Sequence, residues 1–353
     1  MNRSFVMEKN KIIRARAPLR LGLAGGGTDI SPYCDIYGGA TLNVTINKFA
    51  YASISANSKG KIKFEANDLD IAVEHDLDED LSASELVLHR GVYERMMQEY
   101  NGGVRLPLTV QTSAEAPAGS GLGTSSSLVV AIVDAFRVHL GLPLGQYDVA
   151  HLAFEIERQD LALAGGKQDQ YAAAFGGLNY IEFLADDRVI VNPLRIIEPI
   201  LHELESRLVI CFTGVSRRSD EIIEQQTQAV GEHNSIALES MHQIRNDCVD
   251  MKRALMQGEF SEIASILKHS WMAKKRSAKG VSSKRIEELM DFAMSCGADA
   301  GKVSGAGGGG FMFFLVAPPR KPKFIEKLAE RGAIAEAITF SSGGCSVWRA
   351  SGA

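Results

Sequence analysis

Five cysteines, Cys34, Cys211, Cys248, Cys296 and Cys345, lie far apart and form no C-x-x-C, so the sequence offers neither a disulfide framework nor a thiolate zinc site. Its eight histidines include no H-E-x-x-H and no paired ligand spacing. No apolar run approaches the roughly 20 residues that span a bilayer. The first twenty residues carry Arg3, Lys9, Lys11, Arg14, Arg16 and Arg20 without the apolar core of a secretory signal. Basic residues are not in excess, and a net charge of −5 excludes the broad cationic footprint of a nucleic-acid binder while leaving room for local basic pockets. These absences together lead us to expect a protein of the reducing cytoplasm with no membrane or nucleic-acid partner. The phosphate-binding P-loop, G-x-x-x-x-G-K-[ST], is missing as well.

Glycine, by contrast, is abundant and clustered. An extended run from Val104 to Glu115 opens into Ala116-Pro-Ala-Gly-Ser-Gly-Leu-Gly-Thr-Ser-Ser-Ser127, followed by an apolar helical stretch from Leu128 to Leu140. Gly119, Gly121 and Gly123 permit positive φ and close approach of backbone to a ligand. The hydroxyls of Thr124, Ser125 and Ser126 sit where a helix begins, and there free N–H groups and the helix dipole favour an anion. The segment reads as a phosphate cradle of a kind other than the P-loop.

With 353 residues the chain can build two cores. Ile12 to Arg16, Leu19 to Leu23, Thr41 to Ser55 and Lys61 to Glu65 read as strands, and Ser84 to Tyr100 as a helix. A second amphipathic helix spans Tyr147 to Leu163, a short turn spans Lys167 to Phe175, and Leu178 to Leu184 is a strand. The charged, proline-punctuated stretch from Asp186 to Pro199 is the best boundary, giving domains at 1–195 and 196–353. Beyond it come a strand at Leu208 to Thr213, successive helices from Ser219 to Cys296, and the apolar strand Phe311 to Val316. A helix at Phe324 to Arg331 and strands at Ala335 to Phe340 and Cys345 to Trp348 close the chain. Strands and helices mix in both halves, an α+β pattern.

Two further glycine segments stand out. Ala17-Pro-Leu-Arg-Leu-Gly-Leu-Ala-Gly-Gly-Gly-Thr-Asp29 places Arg20 in extended chain and Asp29 after a triple glycine, and taken alone a tight turn and a ligand loop explain it equally well. Lys302-Val-Ser-Gly-Ala-Gly-Gly-Gly-Gly310 contains G-x-G-x-x-G, but it runs directly into an apolar strand instead of opening a helix, so a dinucleotide site is not indicated.

In this order, A-P-x-R, P-x-G-S-G-L-G-[ST]-S and S-G-A-G-G-G-G before a strand, the three segments resemble the GHMP kinase superfamily of galactokinase, homoserine kinase, mevalonate kinase and phosphomevalonate kinase. The resemblance runs from Ala17 to the strand after Gly310. The version P-L-R-L-x-L-A-G-G-G-T-D, joined to Gly166-Lys-Gln-Asp-Gln-Tyr171 and to Trp271 with Lys274-Lys275, is similar to the D-glycero-D-manno-heptose 7-phosphate kinases, and fucokinase-type sugar 1-kinases share it more loosely. It implies a two-domain α+β fold: an ATP-binding N-terminal domain like domain 2 of ribosomal protein S5, with a left-handed βαβ crossover, and a ferredoxin-like C-terminal domain. It also implies an ATP- and Mg²⁺-dependent phosphotransferase acting on the anomeric hydroxyl of a sugar phosphate. The competing readings are another sugar 1-kinase of fucokinase or galactokinase type, and a sugar sensor without chemistry. Oligomeric state is left open, a homodimer included.

By the resemblance, Pro117, Gly119, Ser120, Gly121, Leu122, Gly123, Thr124, Ser125 and Ser126 would wrap the ATP phosphates. Ser125 and Glu157 would hold Mg²⁺, although spacing alone would put Glu157 on a solvated helix face. Asp169 would accept the proton of the attacking hydroxyl. Arg20 would stabilise the transferred phosphoryl group, with a purely structural ion pair as the alternative. Asp29, with Gly26, Gly27 and Thr28, would grip the sugar, the two glycines leaving space for a larger ring. Lys274, Lys275 and Arg217, with Arg218 beside it, are the cations available to a phosphate that the acceptor already carries.

Overall fold

The computed structural model describes residues 11–214 and 220–351. In chain order the first part contains β1 (Lys11–Ala24), α1 (Tyr33–Tyr37), β2 (Gly39–Ala56), β3 (Ile62–Ala66), β4 (Ile71–His75), α2 (Val87–Tyr100), β5 (Leu108–Ala114), α3 (Thr124–Leu140), α4 (Gln146–Glu155), α5 (Gln168–Phe175), β6 (Leu178–Phe183) and β7 (Val189–Pro193). The second contains α6 (Glu198–Arg207), β8 (Leu208–Phe212), α7 (Asp220–Gly231), α8 (Ser235–Gln257), α9 (Phe260–Ser277), α10 (Lys284–Ser295), β9 (Ala298–Val303), β10 (Phe311–Val316), α11 (Lys321–Glu330), β11 (Ile334–Ala337) and β12 (Ser346–Ser351). No described helix is long and apolar enough to cross a membrane.

Eight strands form the first sheet in the order β12-β1-β2-β5-β3-β4, with β6 and β7 joined to it through β2. β2 is long enough to pair with β5 along its second half and with β6 along its first. The chain's last strand therefore returns to the first sheet and pairs with β1, while residue 195 falls between β7 and α6. The second sheet runs β11-β8-β10-β9 and is antiparallel throughout. With a helix between β10 and β11 and helices between β8 and β9, this is the ferredoxin-like order. β10 is buried at every residue, as its unbroken apolar run requires of a central strand.

Two helical expectations need correction. Tyr147 to Leu163 is not one helix: α4 ends at Glu155 and a wider π-type turn, Ile156–Asp160, follows, with the Leu161 N–H bonded to the Ile156 carbonyl at 3.0 Å. Lys167 to Phe175, read as a turn, contains the two-turn helix α5, whose inner face buries Tyr171, Ala172, Ala173 and Ala174. The glycines that bracket it hid its periodicity.

Three large cores stack through the molecule, with a small fourth cluster around Tyr33, Val230 and Met241. The first lies between α3 and the first sheet, and the third between the second sheet and α10 and α11. The second is shared by both sheets with α8 and α9. β1 changes partners along its length, and pairing with β2 shifts between Pro18 and Leu19. Before that shift Ile13, Ala15 and Ala17 pack under α3 while Arg14 and Arg16 face solvent; after it Leu19, Leu21 and Leu23 enter the shared core and Arg20 is buried. The same strand thus carries two exposed arginines and one that reaches the interior.

Candidate active site

A single cleft between the halves brings together the first glycine loop, the triple glycine, the π-type turn, the start of α5, α7, α9 and the second glycine loop. Gly119, Gly121 and Gly123 have φ of +70°, +81° and +78°. Gly123 precedes α3, no side chain caps that helix, and its first-turn N–H groups are left to the cleft. Thr124, Ser125 and Ser126 line the same wall. Ser120 is instead buried, its hydroxyl 3.3 Å from that of Thr124. Leu122 is a core residue, and Pro117 is exposed outside the cleft lining.

The second glycine loop lies directly on the first. Phe311 N–H donates to the Ser120 carbonyl at 2.7 Å, and the Ser304 hydroxyl donates to the Gly121 carbonyl at 2.7 Å. A Cβ on Gly305 would stand 2.7 Å from Gly121 Cα, and one on Gly310 would overlap the Ser120 carbonyl. These glycines are needed because two backbones touch, which gives the second segment a structural reason of its own.

Arg20 crosses from β1 to α5. Its Nε donates to Asp169 Oδ1 at 2.7 Å, its Nη2 lies 2.6 Å from the same oxygen, and its Nη1 donates to the Gly121 carbonyl at 2.5 Å. Arg20 is 4% exposed and Asp169 22%. Both Arg20 contacts fall on Oδ1, so Asp169 Oδ2 has no hydrogen bond among the described residues and faces the cleft. Gly123 passes so close that a Cβ there would sit 3.4 Å from Oδ2.

Asp29 is deeper. Its Oδ1 accepts from Gly27 N–H (3.0 Å) and Gln168 Nε2 (3.1 Å), and its Oδ2 from Gln168 N–H (3.1 Å). Gly166 passes over it with no room for a Cβ. Thr28 faces away from the cleft, its hydroxyl within hydrogen-bond reach of the Gly25 and Ala40 carbonyls (2.8 and 2.9 Å) and accepting from Ala40 N–H, so it fastens the turn to β2. The space before Gly26 and Gly27 is bounded by protein: Cβ atoms there would lie 3.7 Å from Lys274 Nζ and from the Gln226 amide respectively.

Glu157 is 1% exposed, held by the π-type turn at the cleft wall. Gln170 Nε2 donates to its Oε2 at 2.5 Å and to the Ser126 hydroxyl at 3.2 Å, and Arg158 Nη1 stands 3.8 Å from Oε1. Glu157 and the Ser125 hydroxyl supply two hard oxygens to one cleft. That suits Mg²⁺, which is bound by one or two carboxylates and fills its remaining positions with water and substrate phosphate.

The paired lysines of α9 part company. Lys274 is 3% exposed and donates to the Gly305 carbonyl at 2.5 Å and the Gly26 carbonyl at 3.4 Å; burial brings its pKa down to about 8, with the charge of Asp29 opposing that fall. Lys275 points the other way, 3.2 Å from both oxygens of Glu287 and over the Trp271 ring. Consequently Lys275→Ala should leave the KM for either substrate within about twofold, as removal of an exposed ion pair does, when steady-state kinetics are compared with wild type. Arg217 and Arg218 lie outside the described residues.

Sequence reading missed Gln168, Gln170, Gln226, Ser304 and Lys302, all but Gln170 in the cleft lining. The one available signal for Lys302 was a lone lysine inside a buried strand.

The sequence and fold have close counterparts. The GHMP kinases N terminal domain matches residues 86–177 and the GHMP kinases C terminal domain residues 251–334. A D-glycero-alpha-D-manno-heptose 7-phosphate kinase of Campylobacter jejuni is 43% identical over 96% of this chain and 99% of its own. The crystal structure of a D-glycero-D-manno-heptose 1-phosphate kinase from Bacteroides thetaiotaomicron superposes with a TM-score of 0.80 at 43% identity, covering 95% of this chain and 98% of the other. Lactococcus lactis galactokinase, at 18% identity and a TM-score of 0.75 over 95% of both chains, shares the fold. Because both halves match one family and near-complete relatives align at this identity, the chain belongs to the GHMP kinases.

Proposed function

We propose that this kinase transfers the γ-phosphoryl group of ATP to the anomeric hydroxyl of D-glycero-D-manno-heptose 7-phosphate, giving the 1,7-bisphosphate for nucleotide-activated heptose and surface polysaccharide synthesis in the cytoplasm. The observation that carries the chemistry is the free Oδ2 of Asp169 beside the glycine loop, in the cleft that Asp29 also lines. The likeness at 43% identity to enzymes named for manno-heptose phosphates supports the substrate.

In this reading the first turn of α3 and the loop Gly119 to Ser126 hold the nucleotide phosphates. Asp29 accepts a hydrogen bond from a sugar hydroxyl, its own orientation locked by three N–H donors. The C1 hydroxyl oxygen attacks the γ-phosphorus as its proton passes to Asp169 Oδ2, and ADP departs. Arg20 keeps Asp169 aimed and places positive charge beside the phosphoryl oxygens as their charge builds. Ser125 and Glu157 would hold Mg²⁺, which neutralises phosphate charge when bound.

A panel of heptose 7-phosphate, heptose 1-phosphate, free heptose, fucose and galactose tests the assignment, with phosphorus NMR of the product. Turnover should be fastest on heptose 7-phosphate, with an anomeric phosphate in the product. A faster rate on a free sugar, or a new phosphate at C7, would overturn the substrate assignment while leaving the kinase standing.

A further inference from the structure

We propose that Lys274 and Lys302 act as a pair that receives the phosphate group already present on the sugar acceptor, with Lys302 the specificity-determining residue. The inference rests on the reading that the acceptor is a sugar phosphate.

Lys302 projects from β9 into the shared core and reaches the cleft floor, 3% exposed, with the Leu23 carbonyl at 3.5 Å as its hydrogen-bond partner. Lys274 is equally buried and touches two carbonyls. Among the described residues neither ammonium has a carboxylate within ion-pair distance. The other cations of the cleft are committed: Arg20 to Asp169 and Gly121, and Arg158 to the carbonyls of Leu163, Ala164 and Gly166. Two buried ammonium groups facing one cavity with no carboxylate in ion-pair contact are costly in the free protein. They retain spare N–H donors, and a dianionic phosphate with three acceptor oxygens matches them in charge and number.

Position decides which phosphate. The nucleotide phosphates belong at the start of α3. Lys274 bridges the two sides, donating to the Gly305 carbonyl at 2.5 Å in the loop that lies on the first glycine loop and to the Gly26 carbonyl at 3.4 Å in the loop that carries Asp29, while Lys302 approaches the end of β1 that feeds the Asp29 loop. Lys302 therefore stands on the sugar side and Lys274 between it and the nucleotide phosphates, which makes Lys302 the one whose loss should be felt by the sugar phosphate alone.

The electrostatics agree. Burial, then the charge of Lys274, brings Lys302 down to about 7; Arg20 adds to the fall, while Cys248 and Asp247 on α8 oppose it. Lys274, at about 8, is lowered by burial and by Arg20 and raised by Asp29 and Asp169. A bound dianion favours the ammonium forms and raises both values. Around pH 8 the free site is partly neutral, so binding takes up protons, and affinity for the sugar phosphate falls as pH rises through this range.

The test uses Lys302→Met and Lys302→Gln in the full chain, with heptose 7-phosphate and free heptose as acceptors. The preference for the phosphorylated sugar, as a ratio of kcat/KM values, should fall by about 10- to 100-fold, the range expected for one charge-assisted hydrogen bond, while KM for ATP moves far less. Proton uptake on binding heptose 7-phosphate at pH 8, from calorimetry in two buffers of different ionisation enthalpy, should shrink. Thermal stability of Lys302→Met should hold or rise, because an unpaired buried cation is removed. A rise in KM for ATP instead, or an unchanged preference, or a loss of stability with equal losses on both sugars, overturns the inference alone. Wild-type enzyme that ignores every sugar phosphate overturns the functional reading and this inference with it.

Discussion

Asp169→Ala should lower kcat by about 10³-fold, within the 10²- to 10⁴-fold range for losing a positioned general base, with KM for the sugar changed only a few-fold. The asymmetry follows from the geometry. In the proposed reading Asp29, held by Gly27 and Gln168, and the cleft lysines would contact the acceptor independently of Asp169, whose Oδ2 has no hydrogen bond among the described residues and lies beside the glycine loop. The substitution also strands Arg20, which is 4% exposed and bound through two nitrogens to the lost carboxylate. An unpaired buried cation is destabilising, so the measured rate must come from protein shown to be folded. Asp169→Asn resolves the two roles: the amide oxygen still accepts from Arg20 but no carboxylate takes the proton. If Asp169→Asn keeps more than a tenth of wild-type kcat in single-turnover experiments, Asp169 works by holding Arg20 in place, and proton transfer runs another way.

The glycine loops were legible because glycine spacing and hydroxyl position are local properties. Gly119, Gly121 and Gly123 adopt the positive φ that their pattern implies, and the helix starts at Thr124 as the hydroxyl run suggests. What lay beyond the sequence depends on which side of an element a residue faces. Adjacent residues on a helix point about 100° apart, so Lys274 and Lys275 were indistinguishable on paper, yet one enters the cleft and the other meets Glu287. Arg14, Arg16 and Arg20 share one strand and one parity, and only the pairing shift at Pro18 separates the buried arginine from the exposed two. Thr28 looked like a sugar ligand because it precedes Asp29, but its hydroxyl ties the turn to Ala40. Lys302 was invisible because its meaning comes from Leu23 and Lys274, far away in the chain.

Gly121→Ala should be among the most damaging single methyls in the protein. At φ +81° an alanine is already strained by about 1–2 kcal/mol, and its Cβ would overlap the Ser304 carbonyl. Relief is blocked on three sides. The Gly121 carbonyl accepts from Arg20 Nη1 and from the Ser304 hydroxyl, and Gly305 lies against its Cα. The loop must therefore move as a unit with the second glycine loop, Arg20 and Asp169. Gly141→Ala provides the control: it ends the same helix at φ +67° with no heavy atom within 4 Å of the added Cβ, so it carries the conformational cost alone. Denaturant unfolding should show a loss of about 1 kcal/mol for Gly141→Ala, as for other alanines placed at positive φ. For Gly121→Ala the loss should be at least ~3 kcal/mol, the overlap adding to the strain. Gly121→Ala should also raise KM for ATP and lower kcat together, because the phosphate cradle and the Arg20–Asp169 pair share that one carbonyl. Equal stability losses in the two variants would mean that the loops separate easily, and that the second glycine segment is not what holds the first in its phosphate-binding shape.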